Sequence, residues 1–144
     1  MKTAVIALGG NAIIQRGEQT SIARQFKRIT QTLECIIPLI RKGYAVVITH
    51  GNGPQVGNIL IRVEEALGKA YRLPLEVCVA ESQGEMGYMI EQCLWNILQK
   101  HRIRKLIASV LTQVLVDKHD PHFRKPTKPV GPFLNKRHAV LLQR

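Results

Sequence analysis

Two glycine-containing stretches and one lysine give this chain its chemical character. Gly9-Gly10-Asn11-Ala12 follows the strand-like run Lys2-Thr3-Ala4-Val5-Ile6-Ala7-Leu8. Thr49-His50-Gly51-Asn52-Gly53-Pro54-Gln55-Val56-Gly57 follows the apolar, β-branched run Ala45-Val46-Val47-Ile48. Glycine lacks a Cβ, so backbone N–H groups in such turns can approach a ligand closely, and the helix that follows adds about half a positive charge at its first turn. Together these favour an anion. Lys128 stands in Pro126-Thr127-Lys128-Pro129, where flanking prolines stiffen an extended arm; a lysine held there loses less entropy on meeting a phosphate, although a solvated lysine in a proline-rich loop fits the residues equally well. His50 could act as a base, but a histidine placed at a strand end for packing or hydrogen bonding is the simpler reading. Neither glycine loop has the G-x-x-x-x-G-K-[ST] or G-x-G-x-x-G spacing of the common nucleotide motifs.

The elements that must position these residues follow from periodicity. Residues 2–8 and 45–50 read as buried strands. Between them Ile22, Phe26, Ile29, Leu33, Ile36, Ile37 and Ile40 mark one apolar stripe of a helix, begun by Thr20 or Ser21 as cap and closed by Gly43. Pro38 inside its last turns is expected to kink it. A strand, a helix and a second strand make a crossover unit, so the two strands should be parallel and both glycine loops should open at the carboxyl edge of one sheet. A helix is expected from Pro54 to Leu67, then a longer one from about Glu76 to Lys100, interrupted where Gly84 and Gly87 lower helix propensity by about 1 kcal/mol each relative to alanine. The reason for that interruption would be close approach of either a ligand or a neighbouring helix. A third sheet strand is expected within residues 105–116. The prolines between Arg124 and Phe133 exclude helix there.

Composition bounds the alternatives. With 144 residues, 45% of them hydrophobic, the chain can bury one core and reads as a single α/β domain. No run of about 18 apolar residues is present and the amino terminus lacks signal-peptide character, which points to a soluble, cytoplasmic chain without a membrane partner. Cys35, Cys78 and Cys93 have no C-x-x-C spacing and read as reduced, buried thiols rather than metal ligands. The formal charge of +11 is uneven: residues 1–99 carry ten Lys/Arg against eight Asp/Glu, and residues 100–144 carry eleven against two. A nucleic-acid surface is one reading, but only Phe123 and Phe133 interleave the charges and no binding motif accompanies them, so nucleic acid is not the favoured partner. A positive rim for an anionic substrate is a second reading, and a docking face for an acidic partner segment a third.

The motifs taken together resemble carbamate kinase, a branch of the amino acid kinase family. The resemblance rests on Ala7-Leu8-Gly9-Gly10-Asn11-Ala12, Thr49 to Asn58, Ser82-Gln83-Gly84 with Gly87-Tyr88, Thr112-Gln113-Val114 with Val116-Asp117, and Pro126-Thr127-Lys128-Pro129 with Gly131-Pro132-Phe133. It runs in order over residues 1–134, and the second and last motifs are the most specific. It implies an αβα sandwich with a mainly parallel sheet, and reversible phosphoryl transfer between ATP and carbamate, giving ADP and carbamoyl phosphate, with Mg²⁺ and a homodimeric assembly. On this resemblance Gly9, Gly10 and Asn11 would donate to the transferring phosphoryl group, Gly51, Asn52 and Gly53 would line the carbamate side, and Lys128 would reach the phosphates. Lys128, Gly10 and Asn11 are thus the catalytic candidates.

The family pattern is also incomplete here. Family members are about twice as long, and their second half supplies most of the nucleotide and metal site. Residues 1–134 are therefore expected to form the acid-substrate part of the domain, with 135–144 a divergent tail and the nucleotide-binding half absent. Such a chain is expected to be inactive alone. The competing expectation is a non-catalytic anion-binding or assembly module derived from the same family.

Overall fold

The computed structural model describes residues 2–9, 13 and 21–127. In order along the chain these form strand β1 (Thr3–Leu8), helices α1 (Ile22–Glu34) and α2 (Ile37–Arg41), strand β2 (Ala45–His50), helices α3 (Gly53–Glu65) and α4 (Leu75–Lys100), and a single 3-10 turn at Pro121–Phe123. They fall into two compact units, one of Met1–Asn52 with Gln83–Val110 and one of Gly53–Ser82 with Leu111–Arg144.

The first unit is built on the pairing of β1 with β2. The strands are parallel, in register from Thr3 opposite Ala45 to Leu8 opposite His50, as the crossover pattern requires. Leu8, Ile6, Val46 and Ile48 face a core completed by Ile29, Leu33, Ile36, Ile37 and Ile40 from the α1–α2 segment and by Met86, Met89, Ile90, Cys93, Leu94, Ile97 and Leu98 from α4. Each large aliphatic side chain fully withdrawn from water contributes about 1.5–3 kcal/mol before entropy is counted, so this cluster is the main stabilising feature of the unit.

Local signals explain where the helices begin and end. The Ser21 side chain accepts from the Arg24 amide at 3.3 Å, capping α1. The expected single kinked helix is instead two. The ladder breaks at Cys35 and Ile36, and Pro38 occupies the first turn of α2, where its missing N–H is no loss. Gly43, at φ +81°, turns the chain out of α2 into β2.

α4 also departs from expectation, because it runs unbroken through both glycines. Gly87 has a packing reason: a Cβ there would lie 3.3 Å from Ser109 Cβ and Oγ. The Ser109 hydroxyl donates its one proton to Glu91 Oε2 at 2.8 Å, with the Gly87 carbonyl a second acceptor within reach at 3.3 Å. What approaches Gly87 is neither of the two expected causes, a ligand or a neighbouring helix, but the non-helical segment that carries Ser109. Gly84 has no heavy atom within 4 Å of such a Cβ.

The expected third strand is not formed. Residues 103–116 make no strand ladder; Ile103 and Ile107 pack on the core, while Leu106, Val110, Leu111, Val114, Leu115 and Val116 are exposed. Apolar, β-branched sequence supplies the propensity for a strand, but a strand is completed by hydrogen bonds to a partner edge, and β1 and β2 pair only with each other among the described residues.

In the second unit, Val56, Ile59 and Cys78 form a small buried cluster flanked by Leu60, Val63, Leu73 and Val79. Gly68, at φ +80°, follows α3 as a helix-terminating glycine. No helix among the described residues is long and apolar enough to cross a membrane. The cysteine expectation is corrected at one position: all three thiols are free and Cys78 and Cys93 are buried, but Cys35, in the turn after α1, is exposed. Burial pushes the Cys78 thiol pKa up.

An ion cluster ties α1 to the end of α4. Glu34 accepts from Lys100 Nζ at 2.7 Å and from His101 Nε2 at 2.8 Å, and Arg41 Nη2 lies 3.3 Å from His101 Nδ1. Arginine can only donate, so Nδ1 is the acceptor and the Nε2–H faces Glu34. Hydrogen bonds from Lys100 and His101 hold the Glu34 carboxyl below its ordinary value of 4.5. A depressed carboxylate pKa contributes stability above the unfolded value and loses it as pH falls through the folded one. Thermal melts should therefore show Glu34→Gln destabilised near neutrality, with the gap to the parent closing as pH drops below about 4.5.

The two α4 glycines should separate in urea titrations. Gly84→Ala gains helix propensity in open space and should stabilise by about 0.5–1 kcal/mol. Gly87→Ala must displace Ser109 and should gain less or lose stability.

Candidate functional site

The site candidates lie where the two parallel strands end. Leu8 and His50 are the last paired residues, so Gly9 and Gly51 leave the sheet side by side at its carboxyl edge. The Gly51 amide donates to the Leu8 carbonyl at 3.3 Å, extending the ladder by one step. Gly51 therefore gives the edge its open surface, while its N–H is already engaged within the protein. Asn52 is half-buried, and the chain enters α3 directly at Gly53 with Pro54 in the first turn. The first amides of a helix have no acceptor within the helix, and that end carries the positive end of the macrodipole.

Packing does not explain these glycines. A Cβ built on Gly9, Gly51 or Gly53 meets no heavy atom within 4 Å among the described residues, and none of the three has a φ in the left-handed region. At Gly87 a neighbouring segment needs the space, and at Gly43 and Gly68 the backbone needs the conformation. At the sheet edge neither requirement operates among the described residues.

His50 follows the simpler of its two readings. Its Nδ1–H donates to the carbonyl of Gly51 at 3.1 Å, the acceptor fixing which nitrogen carries the proton. This bond stiffens the strand-to-loop turn.

Gly10, Asn11 and Lys128 lie outside the described residues. The described part of the lysine's arm, residues 124–127, is exposed and in neither strand nor α-helix. One polar position carried no role in the sequence reading: Gln55, one turn into α3, is buried together with Val56 and Ile59. The signal for it was a polar residue adjoining the apolar stripe of an amphipathic helix. A buried amide must be hydrogen-bonded, so Gln55 is a fixed part of the helix start. Among the described residues no group of three or more His, Cys, Asp or Glu side chains could hold a metal ion.

An inserted side chain reports on this edge directly. Gly51→Val should leave the melting temperature close to that of the parent, because no atom of the described residues opposes it, and should abolish the phosphate-induced chemical-shift changes at Gly9 and Asn52 that NMR is expected to detect in the parent chain at millimolar phosphate. An affinity in that range corresponds to about 4 kcal/mol.

No family model matches the chain. Individual relatives do. It is 46% identical over 145 aligned residues to the carbamate kinase of Pyrococcus furiosus, an alignment that takes in 99% of this chain and 46% of that protein. Against carbamate kinase 1 of Enterococcus faecium the identity is 44%, over 96% of this chain and 44% of the relative. The solved structure of the Giardia lamblia carbamate kinase bound to AMP-PNP superposes with a TM-score of 0.88 at 42% identity, covering 99% of this chain and 45% of that one. The chain thus spans about half the length of the relatives it matches. In sequence and in fold, nearly all of this chain is similar to about half of each of these carbamate kinases.

Proposed function

We propose that this chain is the acid-substrate side of a carbamate kinase-like phosphotransferase, acting in ATP + carbamate ⇌ ADP + carbamoyl phosphate. The observation that supports this reading is that Gly9 and Gly51 follow paired strand ends at one edge of a parallel sheet, at positions where neither packing nor backbone conformation requires glycine among the described residues. Homology to carbamate kinases at 44–46% identity supplies the reaction class.

Phosphoryl transfer asks chiefly for positioning and for neutralisation of charge on the transferring group, with no covalent work for the protein. In this reading Gly9, Gly10 and Asn11 donate to the transferring phosphoryl group. Gly51 supplies space, and Asn52 with the Gly53 end of α3 holds the carboxylate of carbamate. Lys128 brings a positive charge to the phosphates. His50 is a structural residue, since its Nδ1 proton is committed to the Gly51 carbonyl.

ATP or ADP with Mg²⁺ would be the co-substrate. The described residues fit part of this requirement. The backbone edge suits a phosphate; among the described residues no group of three or more His, Cys, Asp or Glu side chains could hold a metal ion. On the family resemblance we assign most of the nucleotide and metal contacts to the half of the relatives that this chain does not match. The solved structure of the Giardia relative carries a nucleotide analogue, AMP-PNP. A cytoplasmic setting and a dimeric assembly complete the proposal.

Two measurements test it. ATP formation from ADP, carbamoyl phosphate and Mg²⁺ should be undetectable with the 144-residue chain alone and should appear when the carboxyl-terminal portion of a relative such as the Pyrococcus enzyme is co-expressed; robust turnover by the chain alone would overturn the division of labour. Lys128→Ala should leave the melting temperature unchanged while weakening phosphate binding about tenfold, a loss of roughly 1.4 kcal/mol. Unchanged binding with a large fall in stability would make the lysine structural.

A further inference from the structure

The structural role of His50 uses one of its two ring nitrogens. Nδ1–H donates to the Gly51 carbonyl at 3.1 Å. A neutral imidazole has a single N–H, so with that proton on Nδ1 the other nitrogen, Nε2, carries a lone pair and is an acceptor. Among the described residues His50 makes no further hydrogen bond or ion pair. The ring also stands at a defined place. His50 is the last residue of β2, opposite Leu8 across the ladder. Side chains alternate along a strand; Ile48 packs on the core and Thr49 is exposed, so His50 returns to the covered face, where Leu8 is buried and His50 itself half-buried.

The bond to the Gly51 carbonyl keeps Nε2 within one imidazole width of the turn that leaves the sheet, where Gly51 and Gly53 are exposed on either side of half-buried Asn52. The other groups that the proposed function assigns to the substrate act as donors or as a positive charge. Donors alone suit any small carboxylate or phosphate and do not tell carbamate from acetate. An acceptor beside them does. We infer that His50 Nε2 is a specificity element: it accepts a hydrogen bond from the NH₂ of carbamate, or from the same group of carbamoyl phosphate, and thereby selects an anion that brings its own donor. A methyl group in that position would leave a half-buried lone pair without a partner, which is how a site that hydrogen-bonds its substrate disfavours the analogue lacking the donor. No proton is transferred, so the bond from Nδ1 to Gly51 and the contact through Nε2 coexist. The inference rests on the phosphotransferase reading for the kind of ligand, and on the tautomer of His50 for the acceptor.

Carbamoyl phosphate and acetyl phosphate are the probes, because they share the phosphate and the acyl oxygen and differ in NH₂ against CH₃. Each is titrated into the isotope-labelled chain, and NMR shifts at Gly9 and Asn52 give the affinity. Carbamoyl phosphate is expected to bind about fivefold tighter, the effect of one net hydrogen bond. Two variants separate the two nitrogens. His50→Asn retains an N–H near the position of Nδ1 and has no atom at Nε2; it should keep the parent's melting temperature and its affinity for acetyl phosphate, and lose the preference. His50→Gln places an amide oxygen near Nε2 and gives up the bond to Gly51; it should melt lower and keep a preference for carbamoyl phosphate. A histidine that acts only on the turn would give the opposite pattern, with the preference surviving in His50→Asn and lost in His50→Gln.

Equal binding of the two probes to the parent chain, or tighter binding of acetyl phosphate, would overturn the role of Nε2 and leave the phosphotransferase reading in place. A preference undiminished in His50→Asn would do the same. If neither probe nor inorganic phosphate shifts the signals at this edge, the phosphotransferase reading falls and takes the inference with it.

Discussion

The pairing of β1 with β2 is the constraint on which the rest of the molecule depends. Parallel strands start and finish in the same direction, so one register, Leu8 opposite His50, decides that two loops separated by about forty residues leave the sheet together. An antiparallel pairing of the same residues would put Gly9 and Gly51 at opposite ends. The hydrogen bond from the Gly51 amide to the Leu8 carbonyl carries this geometry past the end of β2. The connection that enforces it is α1–α2, whose buried residues Ile29, Leu33, Ile36, Ile37 and Ile40 hold the crossover against the inner face of the sheet.

That arrangement divides the glycines by the work they do. Gly43 and Gly68 supply backbone conformations that a side chain would strain, and Gly87 supplies contact distance to Ser109. Gly9, Gly51 and Gly53 meet none of these needs among the described residues.

Among the described residues the parallel sheet has two strands, and its inner face is packed while its outer face carries Val5 and Val47 exposed. The most strand-like run after α4 joins no ladder among the described residues. Stability in the first unit comes from helix-to-sheet burial and from the Glu34, Lys100 and His101 cluster at the far end of α4.

The sequence by itself determined the local elements and the chemical types. β-Branched runs bounded by glycine specified β1 and β2, and a Ser21 cap and an apolar stripe specified α1. These are short-range properties, set by backbone sterics, propensity and periodicity within a few residues. Tertiary structure decided the rest. Pro38 begins a second helix where a kink had been expected, because a proline ring is accommodated at a helix start more cheaply than inside one. Gly84 and Gly87 do not break α4, because the buried face formed by Met86, Met89, Ile90 and Cys93 outweighs the propensity lost at two positions. Residues 105–116 have every local mark of a strand and are not one, since a strand exists only when another edge is present to bond it. The Gly51 amide could be read as a donor to a ligand until the register showed it bonded to Leu8. In each case the deciding partner is remote in the chain, and a contact between remote residues is a property of the folded molecule that no local pattern contains.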